Sequence, residues 1–239
     1  MTTAAPRRAM VLAAGLGLRL RPITERLPKP LVEVGGQTML DRTLDGLAMA
    51  GVEDAVVNVH YLPEAIESHL ARCRRPRLSI SRESALLDTG GGVAKALPQL
   101  GTTPFFVANS DVVVLHGPTL AWHRLAAAWR DADMDALLLL HPTATAFGYD
   151  GDGDFAIAAD GRLRRRRETE IVRFLFTGLQ ILHPRLFKDA PAGAFSLNRL
   201  YDRAASVGRL FGIVHDGAWL HIGSPVALAR AEAYLKDLF

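Results

Sequence analysis

Met10–Val34 reads MVLAAGLGLRLRPITERLPKPLVEV, and the way this stretch breaks decides the fold. Ala9-Met10-Val11-Leu12-Ala13 is a short apolar run of the kind a buried parallel strand gives. It stops at Gly15-Leu16-Gly17, and Arg19, Arg21, Arg26 and Lys29 follow. Glycines let a backbone turn tightly and leave N–H groups free to point at anionic oxygens. A strand, a glycine turn and fixed cations together suggest a triphosphate site. Two stock loops are ruled out. No Gly-Lys-Ser/Thr stands where a Walker loop starting at Gly15 or Gly17 would need it. A dinucleotide loop needs a third glycine where Leu20 stands, and Arg19 sits where its helix would begin.

The 239 residues suit a single domain, 1–239, with a nucleotide-binding part over about 1–115 and an acceptor part over about 116–239. Hydrophobic residues make up 49% of the chain, enough for a full core. No apolar run approaches the ~20 residues a membrane helix needs, so no membrane partner is expected. The N-terminal apolar run halts at a glycine turn and does not read as a signal peptide, and the single cysteine, Cys73, cannot form an internal disulfide. Both fit a cytoplasmic location. The net charge of +3 hides four lysines against twenty-four arginines. The arginines are scattered without interleaved aromatics, so no nucleic acid is expected as partner. Their one cluster, Arg162 to Arg167, follows the turn signal Asp160-Gly161 and is expected on an exposed hairpin.

Periodicity predicts helices over Thr38–Ala50, Pro63–Leu70, Val93–Leu97, Thr119–Trp129, Leu197–Ser206 and Val226–Leu238. Strands are expected at Ala55–Val59, Leu78–Ile80, Phe105–Ala108, Ala136–Leu140, Phe155–Ala159, Phe174–Leu182 and Leu210–Val214. Gly90-Gly91-Gly92 reads as a loop leading into the third helix. Alternating β and α units argue for a parallel, doubly wound sheet. Ligands of such sheets sit at the carboxyl ends of strands, so the ends at Gly15 and Asp111 can line one crevice. Asp111 suits a hard cation that also takes phosphate oxygens. Asp150 to Asp154 fails as a calcium loop, since Phe155 and Gly161 stand where Gly and Glu are needed. No His-x-x-x-His pair suggests zinc, no Gly-x-Ser-x-Gly elbow suggests a hydrolase, and Cys73 has no obvious histidine partner.

Leu12-Ala13-Ala14-Gly15-Leu16-Gly17-Leu18-Arg19-Leu20, then Pro22-Ile23-Thr24, then Pro28-Lys29-Pro30-Leu31-Val32, resembles the signature of the sugar-1-phosphate nucleotidyltransferases. The resemblance extends through Leu87 to Gly92, Asn109-Ser110-Asp111, Phe176 to Leu179 and Trp219 to Ser224. It implies a Rossmann-like three-layer α/β fold with a mixed, mostly parallel central sheet. It also implies a reaction in which an NTP and a sugar 1-phosphate give an NDP-sugar and pyrophosphate. The triple glycine, Lys95 to Pro98 and Gly153-Asp154-Phe155 look most like the branch that joins UTP to N-acetylmuramate 1-phosphate in peptidoglycan recycling. A GTP-dependent mannose or heptose branch is the rival. A non-catalytic nucleotide- or sugar-binding regulator is the alternative of another class.

Carried over position by position, the resemblance makes Arg19 and Lys29 catalytic. Leu12, Ala13, Ala14, Gly15, Leu16, Gly17, Glu83, Thr89 and Gly90 are then nucleotide-binding, and Asn109, Asp154, Thr177 and Gly178 contact the sugar. Glu83 stands where relatives read the base; a carboxylate accepts from uracil or guanine alike, so the base stays open. Asp111 and His221 are the implied metal ligands, His221 standing where the family has a second Asp. Magnesium suits imidazole poorly, so weaker Mg²⁺ dependence or a place for Mn²⁺ is expected. The family's Glu-Lys-Pro string is absent, and one arginine of Arg164 to Glu168 can supply its cation. The expected partners are the two small substrates, on a monomer or small homo-oligomer.

Overall fold

The computed structural model describes residues 5–238; Met1 to Ala4, where the reading of the N-terminus began, and Phe239 lie outside the described residues. In chain order the strands are β1 (Arg8–Leu12), β2 (Glu33–Val34), β3 (Gln37–Thr38), β4 (Asp54–Val59), β5 (Arg77–Arg82), β6 (Phe105–Asn109) and β7 (Val112–Leu115). They continue as β8 (Ala136–Pro142), β9 (Phe155–Ile157), β10 (Leu163–Arg165), β11 (Phe174–Leu182), β12 (Leu210–Val214) and β13 (Ala218–His221). The α-helices are α1 (Met39–Met49), α2 (Pro63–Leu70), α3 (Asp88–Leu100), α4 (Ala121–Ala128), α5 (Asn198–Ser206) and α6 (Pro225–Leu238).

β1 is apolar throughout because both of its faces are covered. Ala9 and Val11 pack on one side with Leu40, Leu44 and Leu47 of α1, Ile66 and Leu70 of α2, and Trp122 and Leu125 of α4. Met10 packs on the other side with Val93, Ala96 and Leu100 of α3 and Leu200 and Tyr201 of α5. Three layers follow. The nine-stranded sheet runs β10-β9-β11-β6-β1-β4-β5, with β8 against β11 and β12 against β8. Only β10 and β11 run against the other strands, so the sheet is mixed but mostly parallel. α6 closes a third cluster, in which Ala231 and Leu235 meet Val34, Met39, Val113 and Leu220.

The structure corrects several expectations. The triple glycine is not a lead-in loop but the first turns of α3, which starts at Asp88 and contains Pro98. Glycine is required there by packing. A Cβ on Gly90 would lie 2.3 Å from the Phe195 ring, and one on Gly91 would lie 2.4 Å from the Gly193 carbonyl. Gly90 and Gly91 also donate to the Phe195 carbonyl at 2.8 and 3.1 Å. The predicted strand at Phe155–Ala159 ends at Ile157. β7 and β13 went unread; they pair antiparallel, with His221 opposite Val112. Cys73, read as lacking a histidine partner, lies one helical turn beyond His69, with both next to Asp41. The arginine cluster stands as read: β10 pairs with β9 in an edge hairpin, with Arg164 and Arg167 exposed.

Candidate active site

At the carboxyl ends of β1 and β6 the sheet opens into a cleft of about 590 Å³, where sheets of this kind hold ligands. Leu12, Ala13, Ala14, Gly15 and Gly17 form one wall. Gly17 is left-handed at φ 62°, a conformation that strains other residues, and a Cβ there would stand 3.1 Å from both Lys29 and Thr24. The Thr24 hydroxyl donates to the Gly17 carbonyl at 2.8 Å, and Tyr61 donates to the Thr24 carbonyl at 2.8 Å, so the turn is pinned twice.

Two cations serve this cleft in different ways. A short 3-10 turn, Leu18–Leu20, carries Arg19 out into solvent at the cleft mouth. Lys29, between Pro28 and Pro30, is only 7% exposed, and its ammonium donates to Asp111 Oδ2 at 2.8 Å. A buried ammonium needs such a partner, because its charge would otherwise be desolvated and unpaired. One cation can therefore follow a ligand, whereas the other is fixed.

β7 and β13 place His221 next to the cleft, outside its lining. Their register brings its imidazole beside Asp111, which immediately precedes β7. Burial first, then the nearby Lys29 charge, holds the imidazole below its ordinary pKa, so the ring is neutral at neutral pH. It stacks on Trp219 with ring centroids 5.7 Å apart and planes 20° apart. Asp111 is part-exposed and offers a carboxylate where phosphate oxygens would arrive, which fits a hard divalent cation that takes most of its ligands from substrate and water. The neutral imidazole is the less suitable donor for magnesium.

Glu83, Asp88 and Thr89 line the opposite wall. Glu83 is 3% exposed; its Oε1 accepts from Asn58 Nδ2 at 2.7 Å and its Oε2 from the Leu87 N–H at 2.9 Å. Asn58 in turn accepts from the Ala13 N–H at 2.8 Å. The Asn58–Glu83 pair thus ties the glycine-turn wall to the Glu83–Leu87 loop. Asn58 was missed although it left a signal, a single amide in the apolar strand Ala55-Val56-Val57-Asn58-Val59.

Thr89 lines the cleft, and its hydroxyl accepts from the Leu197 N–H at 3.0 Å. Leu16 and Gly90 do not border the cleft, Gly90 being packed behind Thr89 against Phe195. Asn109 borders it, and Gly178, at φ 93°, lies so close below that a Cβ would sit 2.9 Å from the Asn109 Cβ. Thr177 is fully buried and donates its hydroxyl to the Leu139 carbonyl at 2.9 Å, so its side chain braces the floor from within. Asp154 lies outside the cleft lining, accepting from the Phe176 N–H at 2.8 Å, and burial raises its pKa above the usual carboxylate value.

A sheet with a cationic glycine-turn cleft at its carboxyl edge defines a phosphate-handling α/β protein, and the comparisons specify which. A family model described as nucleotidyl transferase matches residues 8–157, well over half of the chain, and the chain belongs to that family. Over 98% of both sequences it is 44% identical to N-acetylmuramate alpha-1-phosphate uridylyltransferase of Caulobacter vibrioides. The Neisseria meningitidis protein of the same name is 31% identical, over 95% of this chain and 97% of that one. A mannose-1-phosphate guanyltransferase of Neurospora crassa is 44% identical over only 44% of this chain and 30% of its own. Among solved structures, a UDP-glucose pyrophosphorylase complexed with UDP-glucose superposes with a TM-score of 0.79 at 15% identity, covering 97% of this chain and 99% of its own. HddC from Yersinia pseudotuberculosis, complexed with GMP-PN, gives a TM-score of 0.77 at 21% identity over 96% of this chain and 99% of its own. Both likenesses are of fold.

Proposed function

We propose that the cleft transfers a uridylyl group from UTP to N-acetylmuramate 1-phosphate, giving the UDP-sugar and pyrophosphate. The observation that carries this reading is the buried Lys29–Asp111 pair at 2.8 Å, facing a glycine turn and Arg19. The full-length likeness to uridylyltransferases of that name supports the choice of substrates. A phosphate oxygen of the sugar attacks the α-phosphorus in line; the new O–P bond forms as the bond to the β-phosphate oxygen breaks. Such a transfer asks the protein mainly to position groups and offset charge. The glycine-turn backbone holds the nucleotide. Arg19 offers a planar fork to the departing pyrophosphate, and Lys29 brings the α-phosphate and the incoming sugar phosphate together as a point charge. Asn109, braced by Gly178, faces the sugar, while Asp154 and Thr177 support that end of the cleft from behind.

Members of this family usually use a divalent metal. Here Asp111 would hold it, with His221 beside it, and when bound it would neutralise phosphate charge. Magnesium is the expected ion, with manganese accommodated by His221. A chelator is expected to abolish turnover and either ion to restore it. The decisive assay offers UTP and GTP, each with N-acetylmuramate 1-phosphate and mannose 1-phosphate, and measures pyrophosphate. Release with UTP and N-acetylmuramate 1-phosphate is the expected result. Release only with GTP would move the protein to the guanylyl branch, and binding without release would make it a non-catalytic sensor.

A further inference from the structure

Away from the cleft, α1 and the end of α2 bring three different donor atoms together. Asp41 Oδ1 lies 2.7 Å from His69 Nε2, and Cys73 Sγ is 3.9 Å from the same oxygen. All three donor atoms fall within 4.8 Å of one another. The placement is set by rigid elements. Thr38 caps α1 by accepting from the Asp41 N–H at 3.0 Å and fixes the carboxylate by donating to Oδ2 at 2.8 Å, which turns Oδ1 toward α2. His69 is in the last turn of α2, and the turn that follows, with the Arg72 N–H on the His69 carbonyl and the Cys73 N–H on the Leu70 carbonyl, folds Cys73 back beside it. Asp45 stands one turn along α1 from Asp41, and its side chain accepts from Gln37 Nε2 at 2.7 Å.

The charge balance there is unusual for this chain. Among the described residues, no lysine or arginine pairs with Asp41 or Asp45, in a sequence with twenty-four arginines. Clefts open on either side, one bordered by Asp41, His69 and Arg72, the other by Asp41, Asp45, Cys73, Arg74 and Arg75, so a small ion can reach the donors past arginines that border the clefts without pairing with either carboxylate. A thiol, an imidazole and a carboxylate form a mixed sulfur, nitrogen and oxygen set. Such a set suits zinc and poorly suits magnesium or calcium.

We propose that Asp41, His69 and Cys73 form a zinc site that staples α1 to α2, separate from the catalytic metal position at Asp111. Water or Asp45 completes the coordination. Binding replaces the S–H bond of Cys73 with a sulfur–zinc bond and sends that proton to solvent, while the proton His69 Nε2 shares with Asp41 passes through solvent to Nδ1 of the same ring, freeing Nε2 and Oδ1 to ligate. The site stands independently of the transferase reading.

The test uses cobalt(II) as the probe, because thiolate ligation gives it a charge-transfer band in the near ultraviolet that oxygen and nitrogen donors do not give. Titrated into the full-length protein, cobalt should produce that band with one ion and one released proton per chain. The band should vanish in Cys73→Ser, and binding should weaken by roughly tenfold or more in His69→Gln. Zinc at a hundredfold excess over its Kd should raise the Tm by about 5 °C or more, and Cys73→Ser should lose that gain while keeping its turnover with magnesium. Absence of the band from the unmodified protein would overturn the proposal. So would cobalt binding that survives Cys73→Ser and disappears in Asp111→Asn. The primary reading needs no variant, so a substitution that failed to fold would leave it standing.

Discussion

Lys29 and His221, the two side chains on which the proposed chemistry leans most, sit in surroundings that differ in kind. Lys29 has its charge fixed by Asp111 in a nearly closed space, so removing it takes away a positioned cation that water cannot replace. Lys29→Ala is expected to lower kcat by about 10²–10³-fold, the cost of losing one preorganised charge contact, with folding retained as read by circular dichroism. Arg19→Ala should lower turnover as well, yet leave thermal stability unchanged because Arg19 is exposed. His221 is neutral and a poor magnesium donor, so His221→Asp should lower the Mg²⁺ concentration needed for half-maximal activity. An unchanged magnesium titration would remove His221 from the metal position. Arg19 and Lys29 were legible because their spacing from the glycines is a chain-local pattern. The bond from Asn58 to Glu83 was not, because the two are twenty-five residues apart and only the folded chain brings them close.

Elements place these side chains, and the glycines of α3 and β11 are the places where placement has no slack. A methyl group on Gly90 would strike the Phe195 ring at 2.3 Å. Gly90→Ala is therefore expected to destabilise the fold by about 1–3 kcal/mol through overpacking, measured by urea unfolding. Gly178→Ala adds a left-handed strain and pushes on Asn109, which stands at the cleft. Its effect should fall on catalysis with the sugar phosphate, where a shift of about 1 Å can cost 10²-fold; an unchanged KM and kcat for that substrate would remove Asn109 from the sugar contacts. Most strands and helices could be read from period and punctuation, β11 and β12 to the residue. What escaped was α3's beginning and the β7–β13 pair. Three consecutive glycines carry no helical propensity of their own, and only the close approach of Phe195 and Gly193 explains a helix there. β7 and β13 are short and meet across more than a hundred residues of chain, a pairing that local pattern cannot announce.

Across the whole molecule, buried histidines tie stability to pH. His116, His183, His215 and His221 all have pKa values pushed below the ordinary imidazole value, in each case chiefly by burial. The unfolded chain takes up protons on these residues first as pH falls, so acid favours unfolding. The stability they preserve is complete above the unfolded imidazole pKa and is lost as pH drops through the folded values. The Tm is expected to fall steadily between about pH 7.5 and 5.5, with a shallower slope in His215→Gln; a flat Tm across that window would show that these rings take up protons as readily in the fold as in the unfolded chain. One more property of the whole follows from where the nine-stranded sheet stops. β5 ends it with Arg77 and Arg82, β10 with Arg164 and Arg165, and at β12 Arg162 and Arg130 lie over the Phe211 ring. An unpaired strand is a template on which a second chain can add, and charge along it is the usual defence. At these edges Arg77, Arg82, Arg162, Arg164 and Arg165 are each held in an ion pair with an Asp or Glu, so a second chain adding to the sheet would have to strip water from, or break, fixed charge pairs before its backbone could bond.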